Sequence, residues 1–387
     1  MRAISWVYDA PSNFKTIGRG VFVLALGMLL GITACSDDAA PPVTDGITSR
    51  TDAQSDGSPG EGGPRAEAGV DAPHHDGGLK DTSPQGERAP SPDHGILPDS
   101  GPAPGNWVAM TSGVTQDLKG IWAASATDIW AVGASGTILH YDGKAWTAQK
   151  SGVTVDLQAI HGSSATSLWA VGASGTVLHY DGTTWRNEKP PTVEDLYDVW
   201  ATGTGDVWTV GDAGAVLHRG ANTWIYSPSA TGLTLYGVWA ANANDVWAVG
   251  AGATVIRHNH LKWTKVPVSV GGYALHAIWG LSPSQIWIGG KAGASAFFNG
   301  KTWLAMPLAP TGNLFGIWGR SSHDVWATGG KTVSVGPFEG ALFHTTGGPW
   351  SAPFTPSTKA FLEDLWGVGA QGPWAVGAQG TILRWQK

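Results

Sequence analysis

The sequence is poor in cysteine, in charge and in long apolar runs, and each shortage excludes a class of protein. Its single cysteine, Cys35, cannot form an intramolecular disulfide and leaves no cysteine-based metal site. Only 14% of the residues are charged, and the excess of acids behind the net charge of −7 falls in residues 36–106. Residues 107–387 carry equal numbers of acidic and basic residues. They therefore lack the basic face that nucleic-acid binding requires.

The N-terminal apolar run, residues 21–30, has the length of a signal-peptide core and is too short to span a bilayer. The sequence Ile-Thr-Ala-Cys that ends at Cys35 follows it and resembles the bacterial lipobox, in which the cysteine is acylated. The resemblance implies that residues 1–35 are a lipoprotein signal peptide and that Cys35 is the site of lipid attachment. Ser36 after the cysteine implies sorting to the outer membrane. The alternative is a plain secretory signal that contains a cysteine by chance.

Residues 36–105 contain no aromatic side chain and consist largely of serine, glycine, alanine, proline and aspartate. Such a segment cannot bury a core, so it predicts a disordered acidic linker. A flexible chain of about 70 residues has a root-mean-square span of roughly 45 Å, enough to hold a domain away from a lipid surface. The adjacent His74 and His75 lack the further ligands that a metal site needs.

Tryptophan and glycine are abundant, with 22 and 56 residues, and the tryptophans recur at a period of 39 or 40 residues with one longer unit. The first column consists of Trp130, Trp169, Trp208, Trp247, Trp287, Trp326 and Trp374. A second column lies eight residues earlier, at Trp122, His161, Trp200, Trp239, Trp279, Trp318 and Trp366. The third is Trp107, Trp146, Trp185, Trp224, Trp263, Trp303 and Trp350. Seven copies at this period predict the blades of a β-propeller.

The pattern of each unit predicts four short strands. In the first unit they lie around residues 118–123, 129–132, 137–141 and 146–149. The predicted fold of residues 106–387 is therefore all-β, a seven-bladed β-propeller of four-stranded antiparallel blades. The last unit has no strand of the third tryptophan column after it, and the chain has an extra one at 106–110. We therefore expect this N-terminal strand to complete the last blade and remove its open edge.

The repeated tryptophans predict packing between blades, because each ring buries a large area and nearly all belong to a column. A sugar-binding platform is the alternative for a few of them. Another column holds His140, His179, His218, Arg257, His344 and Arg384. One such residue per blade lies too far from the next to share a metal ion, so the column predicts hydrogen bonds within or between blades.

Residues 169–185, Trp-Ala-Val-Gly-Ala-Ser-Gly-Thr-Val-Leu-His-Tyr-Asp-Gly-Thr-Thr-Trp, resemble the BNR or Asp-box propellers, among them those similar to the photosystem II assembly factor. All seven units share this resemblance, and it implies the propeller fold. It implies no activity, because this fold serves sialidases, sorting receptors, assembly factors and adhesins. The Asp-Gly-x-x-Trp turn is intact at Asp142 and Asp181 and departs from the pattern near Gly220, Asn259 and Thr346. Since the Asp-box is a structural turn, it implies no catalytic residue.

The leading functional hypothesis is an outer-membrane or cell-surface lipoprotein that presents the propeller as a binding or scaffolding module. We expect a monomer without enzymatic activity, cofactor or metal, with an envelope protein or glycan as partner and membrane contact through the lipid alone. The alternatives are a glycan-active hydrolase of the sialidase type and a surface adhesin associated with type IV pili. A sialidase requires an arginine cluster, a tyrosine nucleophile with a glutamate partner, and an acid. Arg257 and Arg384 belong to the histidine and arginine column, and the predicted propeller has only five arginines: Arg186, Arg219, Arg257, Arg320 and Arg384.

Candidate ligand-binding residues occupy one position near the start of the innermost strand, five residues before the second tryptophan column: Asp117, Asp156, Asp195 and Asn313. Three consecutive blades thus place a carboxylate near the mouth of the central channel. Either each side chain makes a local hydrogen bond at its strand start, or together they form an acidic rim for a cation or a basic peptide. The repeats are irregular at residues 330–339 and 353–356, which are expected on the same face of the ring as these candidate residues. This favours that face as the binding face.

Overall fold

Short antiparallel strands and tight turns make up the part of the chain that the computed structural model describes, which is residues 105–220, 222–308, 312–331, 339–351, 358–369 and 372–386. Four of the sequence predictions lie outside these residues: the signal peptide with Cys35, the linker up to residue 104, nearly all of the 330–339 segment, and residues 353–356. The described part contains no helix with the length and apolarity that a membrane crossing needs.

The strands form seven separate sheets, and six of them are built from strands that follow one another in the chain. The sheets of blades 1 to 3 are β2 (Leu118–Ser125), β3 (Asp128–Gly133), β4 (Thr137–Tyr141) and β5 (Trp146–Gln149); β6 (Leu157–Ser164), β7 (Ser167–Gly172), β8 (Thr176–Tyr180) and β9 (Trp185–Glu188); and β10 (Leu196–Ala201), β11 (Val207–Gly211), β12 (Val216–Gly220) and β13 (Thr223–Tyr226). The observed strands of blade 1 match the predicted ones within two residues at each end.

Blades 4 and 5 repeat the same order of four strands. They are β14 (Leu235–Asn242), β15 (Asp245–Gly250), β16 (Thr254–His258) and β17 (Trp263–Lys265), then β18 (Leu275–Ser282), β19 (Gln285–Gly290), β20 (Ser295–Phe298) and β21 (Trp303–Ala305). Blade 6 has three strands among the described residues: β22 (Gly312–Ser321), β23 (Asp324–Lys331) and β24 (Glu339–Thr345). Beside β24, Ser351 donates its backbone N–H to the carbonyl of His344, at the place of a fourth strand.

The innermost strand of each sheet contacts the innermost strands of the two neighbouring sheets. In the last sheet this strand is β25 (Leu362–Gly367), which contacts β2, so the seven sheets surround a central axis. Blade 7 consists of β25 (Leu362–Gly367), β26 (Pro373–Gly377), β27 (Thr381–Gln386) and β1 (Asn106–Met110). Trp107 of β1 pairs with Trp385 of β27 in antiparallel register. The prediction that the N-terminal strand closes the last blade is therefore confirmed, as is the seven-bladed propeller itself.

The three tryptophan columns pack the blades together. The first two columns face each other across the inner hairpin, for example Trp239 opposite Trp247. In six blade interfaces the first-column ring meets the third-column ring of the next blade edge to face, as Trp130 does with Trp185 at 5.8 Å between centroids. Offset and edge contacts of this kind are the favourable aromatic geometries. The predicted core role of these columns is confirmed.

Candidate functional site

A cavity of about 250 Å³ lies at the centre of the ring, between the innermost strands β2, β6, β10, β14, β18, β22 and β25. Each of these strands contains a fully buried leucine, which is its first residue except in β22, where it is Leu314. The residues directly after those leucines line the cavity: Lys119, Gln158, Tyr197, Tyr236, His276, Phe315 and Glu363. We call these seven residues the wall ring and the cavity that they enclose the cup.

The floor of the cup consists of three tryptophans of the second column, which meet from blades 3, 5 and 7. The ring centroids of Trp279 and Trp366 are 5.2 Å apart, and Trp200 lies 5.7 Å from Trp279 and 6.0 Å from Trp366. Since these blades are not neighbours, the contacts run across the axis. The sequence predicted packing between blades for this column, and Trp200 and Trp279 do contact the second-column rings of the next blades. The closure of the channel by the three rings was not predicted.

His161 occupies the same column in blade 2 and completes the floor. Its ring stacks on Trp200 at 4.1 Å between centroids, and its Nδ1 accepts the backbone N–H of Ala201 at 3.1 Å. Because Nδ1 is an acceptor there, the proton of the neutral ring resides on Nε2. His161, the one residue of the second column that is not tryptophan, thus connects blade 2 to blade 3.

One side of the wall ring is a continuous row of aromatic side chains, the aromatic arc: Tyr197, Tyr236, His276 and Phe315, with Phe361 beyond them. Neighbouring centroids are 5.4, 4.6, 5.1 and 4.9 Å apart in that order. Burial, with a smaller contribution from Lys291, lowers the pKa of His276 to about 4, so its ring is neutral at pH 7. Its Nε2 is buried and has no hydrogen-bond partner.

The other side of the wall ring is polar and contains Glu363, Lys119 and Gln158. Burial raises the pKa of Glu363 to about 7, the ammonium of Lys119 opposes the rise, and the carboxylates of Asp117 and Asp364 add to it. The Nζ of Lys119 lies 3.0 Å from the Oδ2 of Asp156. The cup therefore has one aromatic half and one half that carries a carboxyl group near its ionisation midpoint at neutral pH.

Two aspartates below the wall ring clamp neighbouring blades. Asp198 accepts the backbone N–H groups of Val199 and Val238, both at 2.8 Å, and thereby joins blade 3 to blade 4. Asp364 accepts the N–H of Leu365 at 2.8 Å and that of Ile121 at 3.0 Å, which joins blade 7 to blade 1. Burial raises the pKa of Asp198 to about 8 and that of Asp364 to about 7, against these hydrogen bonds.

The predicted ligand-binding residues lie outside the cup lining and connect adjacent blades. Their Oδ1 atoms accept the backbone N–H of the middle residue in a short 3₁₀ turn of the preceding blade, over 2.7–2.9 Å: Asp156 from Ser135, Asp195 from Ser174, Asn313 from Ala292, and Asp117 from Gln379. Each of these middle residues has φ between 53° and 56°, a left-handed conformation that is uncommon outside glycine. We call these four contacts the latches, and the face that carries the 3₁₀ turns the turn face.

The latches place the four predicted residues at the mouth of the cup, as the sequence indicated, but their hydrogen bonds are not local to their own strands. The hydrogen bond from Ser135 also lowers the pKa of Asp156, which favours its ionised form. The second oxygen of Asp156 pairs with Lys119, and the side chain remains 43% exposed. The carboxylates therefore have a structural role between blades and keep one face toward solvent.

The His/Arg column makes contacts within each blade, as predicted. His140 stacks on Trp130 at 4.1 Å between centroids, and its Nε2 lies 2.8 Å from the Oδ1 of Asp128. Arg257 repeats the arrangement with its guanidinium over Trp247 and two hydrogen bonds to Asp245. Among the described residues no three potential ligands converge on a metal position.

Each arginine of the propeller contacts a different partner residue. Arg186 pairs with Asp181, Arg219 lies over Trp169, Arg320 pairs with Asp324, and Arg384 lies over Trp374. No arginine lines the cup. The arginine cluster of a sialidase site is therefore not found among the residues that the structure describes.

The Asp-box turns lie on the face opposite the turn face, between the third and fourth strands. Asp142 accepts the N–H groups of Lys144 and Ala145, and Asp181 makes the same contacts in blade 2. Asn259 keeps both hydrogen bonds although its sequence departs from the motif. An asparagine side-chain oxygen accepts hydrogen bonds as a carboxylate does, which explains why the turn survives the substitution.

The wall ring was missed by the sequence predictions. A usable signal exists, because this position differs in nearly every unit while the leucine before it recurs in all seven. A position that varies beside a constant one in an internal repeat is free of the shared packing requirement. Such variation indicates a surface that can take a specific function.

No protein-family model and no curated protein matches this sequence. Solved structures do resemble it in fold. YCF48 from Cyanidioschyzon merolae has a TM-score of 0.59 and 17% identity over 73% of this chain and 98% of its own. A structure described as YCF48 bound to D1 peptide has a TM-score of 0.58 and 18% identity, covering 73% and 95%. The WD40 β-propeller domain of Doa1 has a TM-score of 0.60 and 11% identity, covering 72% and 95%, so the likeness establishes the β-propeller fold.

Proposed function

We propose that this protein is a binding module whose cup and surrounding turn face receive part of a protein partner. The observation that carries the proposal is the cup itself, which is open at the wall ring and closed by the tryptophan floor. A concave site with an apolar wall and a few polar groups is the usual form of a binding pocket. The similarity in fold to YCF48, solved in complex with a D1 peptide, supports a protein ligand over a glycan.

We further propose that the propeller is presented at the outer membrane or the cell surface by a lipid on Cys35. The lipobox-like sequence before Cys35 and the acidic linker after it support this location. Several acyl chains hold a protein on a membrane, whereas one alone gives marginal binding.

The Cys35→Ala variant should appear in the soluble fraction, because it cannot be acylated. Fractionation of cells followed by detection of the protein measures this release. A matched Ser36→Ala variant keeps the cysteine and should stay with the membranes. Retention of Cys35→Ala on the membranes at the wild-type level would contradict the lipid anchor.

The binding proposal is tested with residues 36–387 in solution, first against an array of peptides from envelope proteins and a glycan array. Peptide binding should fall at least about tenfold in Tyr236→Ser, which opens the aromatic arc, and stay unchanged in Lys144→Glu on the opposite face. Binding that depends on Lys144 and ignores Tyr236 would place the site on the other face and refute the proposal. Turnover of a glycan, abolished by a change at Asp117, Asp156 or Asp195, would instead establish the hydrolase alternative.

A further inference from the structure

Glu363 differs from the two other half-buried carboxyl groups that line the cup, Asp198 and Asp364, in having no hydrogen-bond donor that offsets its desolvation. Backbone N–H groups lower the pKa of Asp198 and Asp364, whereas only the charge of Lys119 lowers that of Glu363. Partial desolvation of such a carboxyl disfavours its charged form unless a positive group compensates. Glu363 nevertheless lines the open part of the cup, where a ligand can reach it.

Lys119 does not provide the missing partner, because its charge is already balanced. Its Nζ lies 3.0 Å from the carboxylate of Asp156, which in turn is held by the latch to Ser135. This pair sits at the mouth of the cup. An additional positive charge inside the cup would therefore meet a carboxyl that is available to it.

The aromatic arc forms the side of the cup away from Lys119. The faces of tyrosine and phenylalanine rings attract cations through their quadrupoles, and His276 adds no opposing charge because it is neutral at pH 7. An aromatic wall that faces a carboxyl is a combination suited to an organic cation.

Building on the proposed function, we propose that the cup binds an organic ammonium group, as carried by a lysine side chain, with Glu363 as its counter-ion and the aromatic arc as its wall. A lysine side chain fits a cavity of about 250 Å³ with a closed floor, in which its aliphatic stem contacts the rings.

Two peptides test this inference, acetyl-Gly-Gly-Lys-Gly-Gly-amide and the same peptide with norleucine in place of lysine. Calorimetry with residues 36–387 should show that the lysine peptide binds about tenfold more tightly, since an ion pair and a cation–π contact are lost with norleucine. Glu363→Gln should abolish the difference. Glu194→Gln removes an exposed acid near the same face outside the cup lining and should leave the preference intact.

The pH profile provides a second measurement that does not depend on a variant. The affinity of the wild type for the lysine peptide should rise between pH 6 and pH 8, because the ligand requires the ionised form of Glu363. The other groups that face Glu363 are Lys119, Asp117 and Asp364, and the last also titrates in this range. The difference between the profiles of the wild type and Glu363→Gln therefore isolates Glu363, whereas a flat wild-type profile would overturn the inference.

A free amine distinguishes the source of the ammonium group. If n-butylamine displaces the lysine peptide, the cup accepts free amines; if only the peptide binds, the ligand is a side chain of a protein. Equal binding of the lysine and norleucine peptides would refute the ammonium specificity and leave the proposed binding function standing. Binding of both peptides that is insensitive to Tyr236→Ser would refute the proposed function as well.

Discussion

Single residues at the mouth of the cup accept hydrogen bonds from left-handed turn residues of the neighbouring blade. Ser135 and Ser174 adopt a left-handed backbone although they are not glycine, and their N–H groups are held by Asp156 and Asp195 of the next blade. In blade 4 the corresponding turn residue is Gly252, and the next blade has Ala274, which has no acceptor, at the latch position. Of the five described turns with a left-handed, non-glycine middle residue, four are held by a latch. The fifth is Ala213 in blade 3, where Thr234 at the latch position donates its hydroxyl to Asp212 instead. In the four blades that have a latch, this contact between blades explains the aspartate or asparagine at that position.

Asp156→Ala should destabilise the propeller by about 1–2 kcal/mol, because a charged acceptor of the Ser135 N–H is lost. Asp156→Asn keeps an oxygen acceptor and should cost less, since only the exposed pair with Lys119 disappears. Urea denaturation of both variants measures the free energy of unfolding. Equal stability of all three proteins, combined with weaker ligand binding by both variants, would favour the acidic rim over the latch.

At the scale of elements, the closing strand β1 depends on contacts that no local pattern contains. Trp107 lies 5.7 Å from Trp326 and 5.6 Å from Trp385 between ring centroids, so β1 contributes to the interface of blades 6 and 7. Its register with β27 also covers the edge of the last sheet. The pairing of β1 with β27 therefore closes the ring.

Removal of residues 36–112 should lower the melting temperature by roughly 10 °C or more relative to residues 36–387, because blade 7 loses a strand and a buried tryptophan contact. Removal of residues 36–104 leaves β1 intact and serves as the control. Thermal unfolding followed by tryptophan fluorescence measures the difference. Coincident melting curves for the two shortened proteins would show that β1 does not close the ring.

At the scale of the whole molecule, the buried carboxyl groups make stability depend on pH. Asp198, Asp364 and Glu363 have raised pKa values in the folded protein, so the folded state binds protons that the unfolded chain has released. Stability from such groups is present at low pH and is lost as the pH rises through their folded pKa values. The histidines with lowered pKa values, such as His276, act in the opposite direction, but only below about pH 6.5.

The melting temperature should therefore fall as the pH rises from 6.5 to 8.5. In Asp198→Asn the fall should be smaller, because the group with a pKa of about 8 no longer titrates. Asp142→Asn is the matched control, since its carboxyl has a lowered pKa and is ionised throughout this range. Differential scanning calorimetry at several pH values gives the slopes. Equal slopes for the wild type and Asp198→Asn would refute the assignment.

The sequence by itself determined the number of blades, the strands of each blade, the role of most tryptophans and the closure by β1. These features follow from periodicity, because each repeat carries the packing requirements of its own sheet and of its neighbours. Only the tertiary structure decided what lies on the axis. Trp200, Trp279 and Trp366 come from blades that are not adjacent, and the wall ring joins seven distant positions into one cup. Contacts across a ring depend on its radius and curvature, which no single repeat encodes.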